Sequence, residues 1–123
     1  MTTLIEQIGG YSANLRSEDI PTAVLDYAKR LFLDALACMY AGVDSAPVKL
    51  AYEAAAELGG KPQATLLNTG EKMNAQQAAL INGVALRFPD FDDIYYGPAW
   101  AAHPSDSTAA LLAIAFGRRH IRS

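Results

Sequence analysis

The residues best suited to chemistry lie in residues 82–107, which we call the central segment. It contains three aspartates after Pro89, several aromatic residues, and a His-Pro-Ser sequence that begins at His103. Loops that pack onto a rigid scaffold commonly display the groups that bind or react. We therefore expect the function of the chain to depend on this segment.

A metal site is the first interpretation of the central segment. The carboxylates of Asp90, Asp92 and Asp93 are hard oxygen ligands of the kind that Mg²⁺ and Ca²⁺ prefer. Their spacing matches no calcium-binding loop, however, and the sequence has no second acidic cluster to complete a site. We expect neither a metal nor another cofactor.

A phosphatase-like loop is the second interpretation. The Asp-Phe-Asp-Asp sequence of residues 90–93 resembles the nucleophile loop of haloacid-dehalogenase-type hydrolases. That loop follows a buried parallel strand, whereas residues 84–87 continue a helical pattern and no alternation of strands and helices follows. The context therefore argues against a phosphatase.

Acid–base chemistry on a small anionic substrate is the third interpretation. Histidine is a side chain that exchanges protons near neutral pH, which makes His103 a candidate. Arg87 can clamp a substrate carboxylate. In the structural alternative, the aspartates cap helices and pair with arginines, and His103 satisfies a packed loop. Spacing alone leaves both interpretations open.

Five amphipathic patterns predict an all-α, bundle-like scaffold for this segment. Each begins at a capping residue or a proline. The second pattern ends at Gly42, the third at Leu58 before two glycines, and the fourth near Arg87. Residues 64–73 predict at most one short strand. The predicted starts are Thr3 with Glu6 as a capping box, Pro21, Pro47, Asn74 with Gln77, and Ser105 or Ser107.

The second helix is apolar around most of its circumference, which predicts an interior position. Asp34 is the exception within it and would need a hydrogen-bonding partner there. Cys38 is the single cysteine, and we expect it to pack as a small buried hydrophobic residue. The residues predicted to be buried are Leu31, Phe32, Ala35 and Leu36.

Composition and charge exclude several classes of protein. With 123 residues, 51% hydrophobic and 19% charged, we expect one soluble domain over residues 1–123. A net charge of −3 without a basic run argues against nucleic-acid binding. No apolar run is long enough for a membrane span, and no signal peptide precedes the first helix, so we expect a cytoplasmic location. The end of the sequence after Arg118 looks truncated.

Several sequence motifs of the chain resemble the MmgE/PrpD family, and together they span nearly its whole length. The most specific of them is the aspartate-rich loop that ends in His-Pro-Ser. The matching segments are residues 33–36, 40–42, 59–65, 79–83, 87–93 and 100–106.

The resemblance implies an all-helical domain built from this N-terminal region and later sequence, a separate α+β lid, and a homodimer. The family includes 2-methylcitrate dehydratase, cis-aconitate decarboxylase and iminodisuccinate epimerase, which are metal-independent enzymes of small di- or tricarboxylates. We therefore expect a small carboxylate substrate and an active site to which the central segment contributes. The alternative is a catalytically silent helical module that dimerises.

Asp90 matches the first acid of the family motif Asp-x-[Asp/Asn]-Asp-Thr, and His103 matches the histidine of its His-Pro-Ser. The resemblance therefore implies that these two residues are catalytic and that Arg87 can bind substrate. Arg87 and residues 100–106 look more like the 2-methylcitrate dehydratase branch than the decarboxylase branch. Ile94 replaces the family threonine, which removes one expected polar contact.

Overall fold

The computed structural model describes residues 2–119. Side-chain hydrogen bonds cap the first turns of two of its helices. The Thr3 hydroxyl accepts a hydrogen bond from the backbone N–H of Glu6 at 3.3 Å, and the Glu6 carboxylate accepts one from the backbone N–H of Thr3 at 2.7 Å. The Asn74 side chain accepts hydrogen bonds from the backbone N–H groups of Gln76 and Gln77. The prediction of capping boxes and side-chain caps at these two helices is confirmed.

The fold is all-α, as the sequence predicts. The described helices are α1 (Leu4–Asn14), α2 (Thr22–Gly42), α3 (Ala46–Leu58), α4 (Ala75–Arg87) and α5 (Thr108–Arg119). Two 3₁₀ turns, Ser17–Asp19 and Pro104–Ser107, precede α2 and α5. Within residues 2–119 no single helix is long and apolar enough to cross a membrane, although α2 and α3 pass that test together across an 85° bend.

Two small antiparallel hairpins lie in the connections between helices. Strands β1 (Ala64–Thr65) and β2 (Lys72–Met73) pair in the connection between α3 and α4. Strands β3 (Tyr95–Tyr96) and β4 (Ala101–Ala102) pair within the central segment, with Tyr95 opposite Ala102. The prediction of at most one short strand is therefore wrong, because a two-residue strand is too short to show the alternation that marks strands in a sequence.

The described chain divides into two compact units. The first extends to Arg30 and buries no residue of α1. The second begins at Leu31 and contains the hydrophobic core. The single domain over residues 1–123 stays a prediction.

The core of the second unit consists of two clusters. The larger one lies among α3, α4, α5 and the first hairpin. The smaller one, which we call the α2 cluster, joins α2 to the C-terminal turn of α4 and the first turn of α5. Its members are Ala35, Cys38, Met39, Leu86 and Ala109. Because Leu86 precedes Arg87, this cluster fixes the end of α4 from which the central segment continues.

Helix α2 buries one face only, so part of the prediction for it is wrong. Ala35 and Cys38 are buried, as predicted, and Leu31 and Leu36 are partly buried. Phe32 is exposed, with a relative accessibility of 41%. Asp34 is also exposed and needs no partner, because water solvates it. An apolar periodicity shows which residues share a face, but it does not show how many faces are covered.

A close contact between α2 and α4 depends on Gly42. An added Cβ at Gly42 would collide with the backbone carbonyl of Ala85 on α4. Gly83, inside α4, is a matched contrast, because an added Cβ there would meet the Ala109 side chain at an ordinary distance of 3.7 Å.

We predict that Gly42→Ala lowers the free energy of unfolding, whereas Gly83→Ala does not. Gly42→Ala forces the helices apart and lowers it by about 1 to 3 kcal/mol. Gly83→Ala removes a flexible residue from a helix and leaves it unchanged or raises it by about 0.5 to 1 kcal/mol. Urea unfolding followed by circular dichroism measures both. Equal stability of the two variants would contradict the close contact.

Candidate active site

Arg87, the last residue of α4, lies among three carboxylates. Its Nη1 donates to both oxygens of Asp92, at 2.6 and 2.7 Å. Its Nη2 lies 3.4 Å from Asp90 and its Nε lies 3.5 Å from Asp106. The contact with Asp92 is therefore a short charge-assisted hydrogen bond, whereas the other two contacts are long and weak. The hydrogen bond with Asp92 is the main factor that raises the pKa of Arg87.

Asp92 is the buried member of the aspartate group, because its side chain is 0% exposed. Besides Arg87, it accepts a hydrogen bond of 2.9 Å from the Ser105 hydroxyl. Burial raises the pKa of Asp92, but the hydrogen bonds from Ser105 and Arg87 and the charge of Arg87 outweigh burial, so the pKa is lowered overall. Asp92 is therefore an ionised, fully partnered carboxylate in the interior.

His103 contacts the same group of residues through its Nδ1 atom. Nδ1 lies 2.8 Å from the backbone carbonyl oxygen of Asp93 and 3.6 Å from the Oδ2 atom of Asp92. A carbonyl oxygen only accepts hydrogen bonds, so Nδ1 must carry the proton. The neutral ring then has its lone pair on Nε2, and the side chain keeps 27% of its surface exposed. This geometry leaves Nε2 as the nitrogen that can accept a proton.

The His-Pro-Ser sequence is held at its other end by Ser105. The backbone N–H of Ser105 donates to the Asp93 carboxylate at 3.1 Å, in addition to the bond from its hydroxyl to Asp92. The prediction that Ser105 caps the last helix is wrong, because its hydroxyl binds Asp92 and a 3₁₀ turn precedes α5. Ser107, the alternative cap, donates its hydroxyl to the carbonyl of Pro104 instead.

The second hairpin brings His103 back to the aspartates. Strands β3 and β4 reverse the chain, and the Tyr95 and Trp100 rings pack with their centroids 5.5 Å apart. At the turn, the Gly97 N–H donates to the Trp100 carbonyl at 2.8 Å, and a Cβ on Gly97 would meet the indole Nε1 at 2.6 Å. Because Tyr95 pairs with Ala102, the chain just before β3 lies next to the chain just after β4. The pairing therefore brings His103 within hydrogen-bonding distance of the Asp93 carbonyl.

Asp90 is the least enclosed of the predicted site residues. Its side chain is 80% exposed, and its long contact with Arg87 ties it to the group. Its backbone has φ of 53°, a left-handed conformation that aspartate tolerates better than most residues. Asp90 and His103 therefore adjoin the same ion pair, Asp90 through Arg87 and His103 through Asp92. The hydrogen bonds described for residues 2–119 do not join the two directly.

Sequence reasoning named Arg87, Asp90 and His103, and its structural alternative had the aspartates pair with arginines. The structure shows the pair with Asp92. The roles of Ser105 and Asp106 were missed, although Ser105 belongs to the His-Pro-Ser sequence that drew attention to His103. In the described part of the chain, residues 2–119, no three His, Cys, Asp or Glu side chains are grouped so that they could hold a metal ion.

The fold and the site define a helical domain whose loop joins a buried aspartate, paired with a partly exposed arginine, to an oriented histidine. Residues 6–119 match the model of the MmgE/PrpD N-terminal domain, and the chain belongs to the MmgE/PrpD family. The resemblance seen in the sequence motifs is thus confirmed.

Relatives of the chain include fungal proteins. It is 29% identical to cis-aconitate decarboxylase of Aspergillus terreus over 94% of this chain and 22% of the relative. It is 26% identical to the cis-aconitate decarboxylase-like protein oryM of Aspergillus oryzae over 95% of this chain and 23% of the relative. The chain therefore spans less than a quarter of the length of these relatives.

We predict that Asp92→Asn makes stability less dependent on acid pH. The folded pKa of Asp92 is lowered, so its ionised form contributes stability above the unfolded pKa of about 3.9, and this contribution is lost as pH falls through the folded pKa. The asparagine variant should be less stable at pH 7 by about 2 to 4 kcal/mol, because Arg87 loses its buried partner. Its stability should then fall less than that of the parent chain between pH 5 and acid pH.

The matched control is Asp106→Asn, which removes a 57% exposed carboxylate that also contacts Arg87. We expect a change within about 0.5 kcal/mol at pH 7, because exposed ion pairs contribute little. Chemical unfolding at a series of pH values measures all three proteins. The same acid dependence in the parent and in Asp92→Asn would show that Asp92 does not hold its charge in the folded state.

Proposed function

We propose that this chain contributes part of the active site of a lyase acting on small di- or tricarboxylates, with dehydration of 2-methylcitrate as its reaction. The observation that carries the proposal is the geometry of His103, whose Nδ1 is tied to the Asp93 carbonyl, so that the lone pair of the neutral ring lies on Nε2. A positioned histidine base beside an arginine is suited to proton abstraction next to a carboxylate. Family membership supports this class of substrate.

In this proposal His103 transfers the proton. A base removes the proton from the carbon next to a substrate carboxylate, and the electron pair of that C–H bond becomes the new C=C bond as the C–O bond to hydroxide breaks. The leaving hydroxide takes a proton from an acid and departs as water. Asp90, which is exposed beside Arg87, would orient or polarise the reacting groups. The remaining acid and cationic groups would come from other sequence of the complete protein.

Arg87 would hold a substrate carboxylate without giving up Asp92. The guanidinium is planar and offers more than one edge for hydrogen bonding. Nη1 is occupied by Asp92, whereas Nε and Nη2 make contacts of 3.5 and 3.4 Å with exposed carboxylates. A substrate carboxylate can displace such weak contacts and form two short parallel hydrogen bonds in their place.

Decarboxylation of cis-aconitate is the second candidate reaction. It is favoured by the two fungal relatives, whose names describe that activity or likeness to it. Arg87 and residues 100–106 favour the dehydratase branch on sequence resemblance. Ile94, in place of the family threonine, puts a hydrophobic side chain where the family motif has a polar contact to the substrate. The resemblance also supports a homodimer as the working form.

We predict that the 123-residue chain alone turns over neither 2-methylcitrate nor cis-aconitate. Groups that act as a unit lose most of their effect when several are missing, and here Arg87, Asp90 and His103 are the proposed contributors. Formation of the conjugated alkene from 2-methylcitrate can be followed by ultraviolet absorbance, and release of CO₂ from cis-aconitate by a coupled assay. The positive control is a longer protein that carries this chain followed by downstream sequence. Clear turnover by the 123-residue chain as a monomer would contradict the prediction.

We predict that His103→Asn in that longer protein lowers kcat by at least about 100-fold and leaves stability nearly unchanged. The asparagine amide can donate to the Asp93 carbonyl as Nδ1 does, but it offers no basic nitrogen. His103→Ala removes both functions and should lower turnover far more than stability. Comparing kcat with the thermal midpoint of each variant tests the assignment. If kcat of His103→Asn stayed near the parent value, His103 would be a packing residue.

A further inference from the structure

We propose that Asp92 is a positioning residue for His103, which it holds together with Ser105 in the orientation that leaves Nε2 as the proton acceptor. This inference rests on the proposed function, because it assigns a role to residues that support the proposed base. It assigns to Asp92 and Ser105 a role different from the motif match to Asp90 and His103 and from the helix cap predicted at Ser105.

Burial of Asp92 is the first observation that supports this role. Its immediate neighbours in sequence are not enclosed to the same degree, since Phe91 is exposed and Asp93 only partly buried. A chain that turns one carboxylate inward must supply partners for it, because an unpaired buried charge is strongly unfavourable. Those partners come from the end of α4 and from the 3₁₀ turn after His103. Asp92 therefore joins two parts of the chain that flank the second hairpin.

The contacts of one oxygen atom connect these partners to the histidine. Oδ2 of Asp92 accepts from the Ser105 hydroxyl at 2.9 Å and from Arg87 Nη1 at 2.7 Å, and it lies 3.6 Å from His103 Nδ1. The Asp93 carbonyl lies 2.8 Å from the same Nδ1. Nδ1 therefore has one hydrogen-bond acceptor, the Asp93 carbonyl, and the Asp92 carboxylate lies close to it; both favour the tautomer with the proton on that nitrogen.

Ser105 completes the arrangement by fixing the backbone beyond His103. Its hydroxyl binds Asp92 and its N–H binds the Asp93 carboxylate, so successive aspartates hold one residue through two different bonds. Pro104 lies between Ser105 and His103 and restricts the backbone there. Loss of the Asp92 bonds would release the Ser105 end and allow the ring to leave the Asp93 carbonyl. A carboxylate that orients a histidine in this way acts through the histidine and need not contact substrate.

The tautomer of His103 in the 123-residue chain tests this proposal without any substrate. Correlation of the ring ¹⁵N and ¹H signals by NMR distinguishes the two neutral forms, and His103→Gln identifies which signals belong to His103. We expect the parent chain to hold predominantly the form protonated at Nδ1. In Asp92→Asn the ratio of this form to the Nε2-protonated form should fall about fivefold or more, because the released ring loses its hydrogen bond to the Asp93 carbonyl.

Two further variants make the outcome decisive. Ser105→Ala keeps the Asp92 charge and the Arg87 pair but removes the hydrogen bond from the Ser105 hydroxyl to Asp92. It should therefore lower the ratio of the Nδ1-protonated to the Nε2-protonated form, and it tests the proposal even if Asp92→Asn fails to fold. Asp106→Asn is the matched control, because the Asp106 side chain contacts Arg87 and has no described bond to His103. The backbone hydrogen bond from Asp106 to the His103 carbonyl is kept in this variant, so the ratio should be unchanged. An unchanged ratio in Ser105→Ala, or in a folded Asp92→Asn, would overturn the proposal. Because no turnover is measured, this result is independent of whether the complete protein is a dehydratase.

Discussion

The burial of one carboxylate, that of Asp92, is the constraint on which the candidate site depends. An ionised group in the interior requires a countercharge and hydrogen-bond donors, and it is destabilising when either is missing. Arg87 supplies the charge from the end of α4, and Ser105 supplies a hydroxyl from the turn before α5. Pairing of this one carboxylate with Arg87 and Ser105 brings together residues that are up to eighteen positions apart in the sequence.

Packing elsewhere makes these contacts attainable. Leu86 and Ala109 belong to the same cluster as Cys38 and Met39 on α2, so the end of α4 and the start of α5 are fixed against one surface. The β3–β4 hairpin folds the chain between them back on itself, and its tight turn places Gly97 against the Trp100 indole. The hydrophobic cluster sets the distance that the central segment must span, and the hairpin allows it to return with His103 beside Asp93.

The sequence predicts those features that depend on local chemistry. Capping residues such as Thr3 and Asn74 accept hydrogen bonds from neighbouring backbone N–H groups, so the helix starts can be predicted without knowledge of the fold. Burial of Asp92 is different, because three nearby aspartates are chemically identical and only the packing of the chain selects one of them. Phe32 was misassigned for the same reason: its exposure depends on what covers α2, which periodicity does not show. Ser105 could serve equally well as a helix cap or as a donor to Asp92.

The structural role of Arg87 and the substrate-binding role proposed for it are compatible because of the geometry of its side chain. A lysine could neutralise Asp92, but its ammonium is a single point of charge and could not also offer a second planar edge to a substrate. The guanidinium can keep Nη1 on the buried carboxylate while Nε and Nη2 exchange partners at the surface. The structural alternative, in which arginine and aspartates only stabilise the loop, therefore does not compete with the catalytic one. Under the proposed function, the same ion pair would serve both the stability of the site and the binding of a substrate carboxylate.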